Sequence, residues 1–490
     1  MTVKELISEL DYELISGDID RNISTLVNDN RKLEKDCVFV CIEGANFDGH
    51  VAVYDAIDEN ASAIIVMKDV DVPKDSSTAV IKVKDTREAL ALTSAAYFNY
   101  PTREIKVIGI TGTKGKTTTT YLIKSILENA GLKVGLIGTI ETIIGDEHIP
   151  SKNTTPESYV LQETFRRMAD SGIEVCVMEA SSQGFLMKRT LGTEFEIGIF
   201  TNLEPDHIGP NEHENFEDYL RCKSMLFRQC KMGILNADDA NVNNILEGHT
   251  CDVLTYGLGE NADYRADNVD LYEKLGVLGI AFDVKGKIDT RVEIDMPGKF
   301  SLYNALTAVA VCSYLNIDEG SIKTALKSAK VKGRIEMVPV SDEFTLMIDY
   351  AHNAMALESL LTTLKEYENG RLVCVFGCGG NRARSRRFEM GEVSGRLADF
   401  TIITSDNPRY EKPLDIIEDI VTGIKKTDGE YIKIPDRKEA IKYAIENGRK
   451  GDIIVLAGKG HEDYQEIEGK KYPMDERVLI AEVLEELKNV

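Results

Sequence analysis

No stretch of this 490-residue chain comes near the ~20 consecutive apolar residues that a membrane-spanning helix needs. The opening MTVKELISELDYELISG has neither a basic first segment nor an apolar one, so it does not read as a secretory signal. Positive charge is scarce: 58 Lys and Arg against 82 Asp and Glu give a formal net charge of −24. That balance opposes broad binding to nucleic acid or anionic membrane, while leaving room for a local basic pocket. The nine cysteines are scattered and odd in number. Cys37/Cys41 and Cys374/Cys378 sit within apolar strand-like runs and read as buried thiols, in keeping with a reducing cytoplasm. Internal repeats, low-complexity tracts and a G-x-S-x-G serine turn are all missing, which removes solenoids and serine-hydrolase chemistry of that type. The length is too great for one core and suggests about three domains.

What is present is chemistry at strand ends. GITGTKGKTTTT (109–120) follows the apolar run Ile105–Ile110 and precedes the helix-like YLIKSILENAGLKVG. Strand, glycine turn and helix is the setting in which backbone N–H groups hold phosphates. Gly112 and Gly115 allow the backbone to close around an anion, Lys116 would reach terminal phosphates, and the Thr117 hydroxyl would ligate Mg²⁺. The spacing is the short G-T-x-G-K-T form, since Ile110 stands where a strict P-loop has its first glycine.

Apolar strands recur at KVGLIG, EVCVMEA and EIGIFTN, separated by helical stretches, as in a doubly wound parallel sheet. Glu179 ends one of them, a suitable place for a carboxylate facing a metal-bound nucleotide. TNLEPDHIG (201–209) ends another and groups Asn202, Asp206 and His207; a neutral imidazole there could ligate a divalent ion, or simply sit at the surface. DYLRCKSMLF predicts a helix with Tyr219, Lys223 and Phe227 on one stripe, where the lysine could equally snorkel. VLGIAFDV and TRVEIDM predict a β-rich insertion, and GKFSLYNALTAVAVCSYL a close-packed helix. Near Gly333 the pattern restarts. LMIDYAH, RLVCVFGCGG, FTIITSDNPR and DIIVLAGKGHE predict four strands whose polar ends share one ligand-bearing face. In SDNPR, Asn-Pro favours a turn, and the planar fork of Arg409 suits bidentate capture of a carboxylate, with Arg382 of GCGGNR as a second cation.

The collinear set TGTKGKTTT, NTTPE, MEASSQ, TNLEPDH, YLRCK, YNA, GR-IE, DYAHN, GCGGNR, SDNPR and AGKGHEDYQ resembles the Mur ligases of bacterial cell-wall synthesis over nearly the whole chain. The resemblance implies an α/β fold of three domains. These are a small α/β N-terminal domain binding UDP-substrate (1–103), a central P-loop domain with a doubly wound, mostly parallel sheet (104–333), and a C-terminal Rossmann-like α/β domain binding the amino acid (334–490).

It also implies an ADP-forming amide ligase that adds meso-2,6-diaminopimelate to UDP-N-acetylmuramoyl-L-alanyl-D-glutamate through an acyl phosphate. ATP would be held by Gly112, Thr113, Lys114, Gly115, Lys116, Thr117, Thr118, Asn304, Arg334, Asp349 and His352. Mg²⁺ would be held by Thr117, Glu179, His207 and Lys223, with Lys223 carrying a CO₂-derived carbamate, and Lys116, Lys223 and His207 would be catalytic. The muramoyl-peptide would meet Asn30, Arg31, Asn153, Thr154, Thr155, Ser181 and Arg189, with DNR (29–31) and GANFDGH (44–50) as UDP-recognition segments. The incoming amino acid would meet Arg382, Asp406, Asn407, Pro408, Arg409, Gly458 and Glu462. D-N-P-R favours meso-diaminopimelate over L-lysine: Arg409 would take the distal carboxylate, and Glu462 an ammonium. A monomer in the cytoplasm is expected, with small-molecule partners and glycine junctions near 298 and 333 permitting closure. L-lysine or a folate-type glutamyl acceptor, a P-loop ATPase and a non-catalytic nucleotide binder are the alternatives.

Overall fold

The computed structural model describes residues 1–44, 47–73, 76–209, 212–274, 276–367 and 369–488. The chain divides into two compact units, Met1–Ala262 and Asp263–Val490.

The first unit holds two sheets. The smaller runs Tyr12–Ser16, Ala79–Val83, Ala63–Val66, Val38–Val40 and Leu26–Val27, parallel except for the antiparallel edge strand Tyr12–Ser16. CVFVCI and SAIIVM supply two of these strands, as expected. The short Leu26–Val27 and the mixed YELIS and AVIKV lacked a comparable apolar run and went unread. Helix Thr86–Tyr97, capped by Asp85 accepting from Arg87 N and Glu88 N, packs one side of the sheet.

The larger sheet of this unit has six parallel strands in the order Asp252–Gly257, Cys230–Asn236, Phe195–Phe200, Lys106–Thr111, Val175–Glu179 and Val134–Ile137. An antiparallel hairpin, Glu141–Ile144 and Glu147–Pro150, extends its edge. The register fixes the site. Glu179 lies opposite Ile110 and Phe200 opposite Thr111, so the chain leaves three central strands side by side. Both faces are covered, and Val107, Ile108, Ile110, Val177, Met178 and Ile199 are fully buried, each contributing roughly 1.5–3 kcal/mol.

In the second unit, Tyr264–Lys274, Val277–Gly286 and Thr290–Ile294 form an antiparallel meander, the expected β-rich insertion. Helix Lys299–Tyr314 packs on it through a face rich in alanine, with Ala305, Ala308 and Ala310 fully buried. The last sheet places antiparallel Glu336–Val338 beside Thr345–Asp349, then continues parallel through Ile453–Ala457, Leu372–Phe376, Phe400–Ile403 and Glu430–Lys433. Asp349, Ala457, Phe376 and Ile403 stand level, so the four expected strands do end on one line. All nine cysteines are free and buried; burial pushes the Cys41 and Cys374 thiols up to about 12.

Candidate functional site

In the first unit, the loop after Lys106–Thr111 turns at Gly112 (φ 148°), where a Cβ would lie 1.9 Å from Thr201 Oγ1. Only glycine lets the loop pass there. The loop is pinned by Thr113 N donating to Asn202 O (2.9 Å) and Lys114 N to Asn202 Oδ1 (2.9 Å), which gives Asn202 a positioning role. Lys114 itself pairs with Glu204 at 2.7 Å. Helix Lys116–Asn129 then begins, carrying Lys116, Thr117 and Thr118 in its first turn.

Two lysines converge on one carbonyl. Lys116 Nζ donates to Gly112 O (2.8 Å) and Thr113 O (3.0 Å), and Lys223 Nζ donates to the same Gly112 O (2.8 Å). Lys223 lies on helix Phe216–Ser224, fully buried, its Nζ 4.4 Å from the Tyr219 ring centroid. Burial, reinforced by the Lys116 charge, drives its pKa well below the ordinary lysine range, shifting its balance toward the neutral amine. Tyr219 is held by Thr113 Oγ1 at 3.1 Å. The stripe that could have snorkelled is an interior one.

Glu179 is buried and encircled by donors. Thr117 Oγ1 (3.0 Å), Thr139 N (2.8 Å) and Thr139 Oγ1 (2.9 Å) all donate to its carboxylate. A Cβ on Gly138 would approach its Oε1 to 2.7 Å. Thr139 was not foreseen: it sits in a bend just past a strand, with no pattern to mark it. Thr117, in the first turn of the loop's helix, and Glu179, at a strand end, are hard oxygen donors in contact, and so fit Mg²⁺. His207 is placed differently. It is half exposed in a left-handed turn (φ 54°), with Nδ1 3.2 Å from Glu212, and no contact to Glu179 is seen among the described residues.

Thr154 and Thr155 adjoin this centre. Thr154 Oγ1 lies 3.0 Å from Thr139 Oγ1, and Thr155 Oγ1 donates to Glu179 O at 2.9 Å. Thr155 also meets Ser181 Oγ at 3.1 Å, and Ser181 caps helix Ser182–Leu186. Arg189 Nη1 donates to Thr155 O (3.0 Å) and its other nitrogen pairs with Glu157. Asn153 is exposed. Asn30 and Arg31 form an exposed turn capped by Asp29. Within GANFDGH, His50 Nδ1 meets Asp48 at 2.6 Å, whereas Ala45 and Asn46 lie outside the described residues.

The second unit carries the other expected positions. Asn304 lies on the buried side of helix Lys299–Tyr314. Asp349 accepts from Ile335 N (2.8 Å) and Ala351 N (2.9 Å), and burial raises its pKa. Tyr350 anchors a stack that the sequence did not announce. His352 and His461 flank its ring at centroid distances of 4.5 and 4.7 Å, with the Arg334 guanidinium 4.7 Å away. Burial, then Arg334, lowers His461 to about 4, and burial lowers His352.

On the same strand-end line, Gly458 (φ 109°) donates to Asp349 O at 3.0 Å, and a Cβ there would meet Asp406 Oδ2 at 3.2 Å. Asn407 Nδ2 donates to Glu462 Oε2 at 2.9 Å. Arg409 (φ 52°) donates through Nε to Glu466 (3.0 Å) and through Nη1 to Gly380 O (2.7 Å). Pro408 passes tightly over the neighbouring loop: a Cβ on Gly380 would lie 1.9 Å from Pro408 O. Arg382 is exposed. The expected amino-acid residues therefore come together, except that Arg409 is already partnered and Arg382 stands outside the hydrogen-bonded set. The reading also passed over Lys459, Gln465 and Glu466. Gln465 Nε2 donates to Asp406 O (2.7 Å), and Glu466 N to Asn407 Oδ1 (2.9 Å).

Residues 110–312 match the Mur ligase middle domain, and residues 333–460 the Mur ligase glutamate ligase domain. A protein of Clostridium acetobutylicum named UDP-N-acetylmuramoyl-L-alanyl-D-glutamate--2,6-diaminopimelate ligase 1 is 44% identical over 492 residues, covering 99% of this chain and 100% of its own. This chain belongs to the Mur ligase family. A Clostridium perfringens ligase of the same name, without the final numeral, is 42% identical with the same coverage of both chains. A solved structure of a UDP-N-acetylmuramoyl-L-alanyl-D-glutamate--2,6-diaminopimelate ligase superposes over the full length of both chains with a TM-score of 0.75 at 27% identity. In this Mur ligase the strand-end loops of both units are the ones that carry the family's motifs, so the fold class inferred from them stands. No described helix is long and apolar enough to cross a membrane.

Proposed function

We propose that this Mur ligase joins meso-2,6-diaminopimelate to UDP-N-acetylmuramoyl-L-alanyl-D-glutamate with conversion of ATP to ADP and phosphate. The observation that carries the reading is the convergence of Lys116 and Lys223 on Gly112 O, in a chain whose full-length relatives bear that name.

The chemistry follows from the groups present. An acceptor carboxylate oxygen attacks the terminal phosphorus of ATP; a P–O bond forms as the bond to ADP breaks. The amine then attacks the acyl carbon, loses a proton, and the C–O bond to phosphate breaks. Both steps gather negative charge. Lys116 answers that charge by swinging from the loop carbonyls it now holds, and the N–H groups at the start of its helix point at the same anion. Thr117 and Glu179 would hold Mg²⁺, which when bound offsets phosphate charge. Lys223 is suited to take up CO₂, because carbamate formation needs a neutral amine and burial shifts Lys223 toward that form. The resulting anion would join the magnesium site. His207 would enter that site by leaving Glu212. Thr154, Thr155, Ser181 and Arg189 would receive the muramoyl-peptide, and Asn30 and Arg31 the UDP end. Asn304, Arg334, Asp349 and His352 would meet the nucleotide, and the Asp406–Arg409 and Gly458–Glu462 turns the amino acid. A three-domain division at 103 and 333, a monomeric state and a cytoplasmic location belong to the same proposal.

The test supplies ATP, Mg²⁺ and UDP-muramoyl dipeptide labelled with ¹⁸O in the acceptor carboxylate, with each candidate amino acid in turn. Turnover with meso-diaminopimelate and ¹⁸O in the released phosphate is expected. Good turnover with L-lysine alone would overturn the substrate, and unlabelled phosphate the mechanism. Intact mass measured under CO₂ should show one added CO₂ that is lost in Lys223→Met.

A further inference from the structure

Beside the turns proposed to receive the amino acid lies a lysine with no exposed surface. Lys459 follows strand Ile453–Ala457, is 0% exposed, and has all three of its donors committed. Its Nζ donates to Glu462 Oε2 (2.8 Å), Asn407 Oδ1 (3.0 Å) and Tyr464 O (2.5 Å), while Asp406 Oδ1 lies 3.5 Å away. The Tyr464 ring centroid is 5.1 Å from the same nitrogen. Because Asn407 Oδ1 also accepts from Glu466 N, its amide orientation is decided: Nδ2 must face Glu462. Both donors reaching Glu462 Oε2 thus come from within the protein. Around this point the carboxylates of Asp406, Glu462 and Glu466 are opposed by the cations of Lys459 and Arg409.

We propose that Lys459 is a specificity-determining residue for the incoming amino acid, favouring a distal end that carries both an ammonium and a carboxylate over one that carries an ammonium alone. The proposal rests on the substrate reading above and deepens it. Lys459 pairs with Glu462, so the carboxylate that would receive a cationic tail is already partly neutralised. A lysine tail would lose its water beside Lys459 and Arg409, facing a Glu462 already paired, with no anion of its own to engage either cation. A diaminopimelate tail brings a carboxylate, which meets Arg409 and offsets the same cations. Discrimination then comes from a repulsive element as much as an attractive one. A lysine that only pinned the loop would affect both amino acids alike.

The experiment uses the full chain with saturating ATP, Mg²⁺ and UDP-muramoyl dipeptide. It measures kcat/KM for meso-diaminopimelate, with L-lysine as alternative substrate or competitive inhibitor. Lys459→Met leaves Glu462 uncompensated, and should reduce the preference for diaminopimelate over lysine by about tenfold, the scale of one weakened charge contact. The KM for ATP should stay within about twofold of the parent, as expected for a change confined to one ligand's contacts. Glu462→Gln, of nearly equal size, leaves Lys459 with only the more distant Asp406 carboxylate and should move the preference the other way. This second variant decides the matter if Lys459→Met does not fold. An unchanged preference in either folded variant, or a shared loss for both amino acids, would overturn the proposal. A parent enzyme that ligates neither amino acid would instead overturn the functional reading beneath it.

Discussion

The two strand-end clusters of this molecule solve different electrostatic problems. In the first unit, a cation is stored on backbone carbonyls: Lys116 rests on Gly112 O and Thr113 O, partners that a phosphate can readily outcompete. In the second unit, charges are stored on each other. Lys459 is matched to Glu462 and Arg409 to Glu466. A site that stores charge on neutral dipoles is primed for any strong anion. One that stores it in ion pairs admits only ligands that replace what they break, because separating a partly buried pair leaves one charge without its partner. The first arrangement suits a common energy donor and the second a choice among similar amino acids.

The largest test of that contrast is at the first cluster. Lys116→Met should lower kcat/KM by about 10²–10³-fold, the cost of losing one preorganised charge-stabilising group. Thermal stability should move less than activity, since Gly112 O and Thr113 O are carbonyls that water can satisfy. A loss below tenfold in steady-state phosphate release would mean that the stored cation is not the one used.

Much of the first cluster was legible because its parts are contiguous. GTKGKTT and its flanking strand announce a phosphate loop, and EVCVMEA ends visibly in Glu179. What escaped was set by register and not by neighbours. Thr139 reaches Glu179 only because Val134–Ile137 pairs in parallel with Val175–Glu179. Lys223 gave only a helical stripe until resemblance supplied its role; its burial against Gly112 O is a tertiary fact. The second cluster was read by its strand ends, yet Lys459, Glu466 and the Tyr350 stack were missed. Each looks locally like an ordinary polar loop residue. Strand Glu430–Lys433 was missed because its EYIK sequence is half polar, as befits a sheet edge.

A second test asks whether the second cluster's histidines are held neutral, as its crowding of cations implies. His461 has a folded pKa of about 4, below its unfolded value of 6.5, first through burial and then through Arg334, Lys332 and Arg477. Above pH 6.5 both states are neutral and stability is whole. As pH falls from 6.5 to 4 the unfolded chain takes up a proton that the folded one refuses, so stability declines and then levels. The decline attributable to this residue is up to about 3 kcal/mol. His461→Gln should be less sensitive to acid over that window in urea melts monitored by tyrosine fluorescence or circular dichroism. Parallel pH curves for parent and variant would show the imidazole free to protonate in the fold.

The smallest effect is the sharpest on the comparison itself. Arg409 has a planar fork already shared between Glu466 Oε2 and Gly380 O, so it would meet a ligand carboxylate with part of its capacity occupied. Arg409→Lys keeps the charge and its pairing with Glu466, but cannot hold that carboxylate, the Gly380 carbonyl and a substrate carboxylate in one plane. The expected loss is in KM for meso-diaminopimelate, by about tenfold or 1.4 kcal/mol, with the KM for ATP unmoved. Because a monoamine tail has no distal carboxylate to lose, L-lysine should be unaffected by the same change. If both amino acids suffered equally, Arg409 would be acting only as a strut between Glu466 and Gly380, and the ion pairs of the second cluster would be scaffolding and not a reserve from which ligand contacts are drawn.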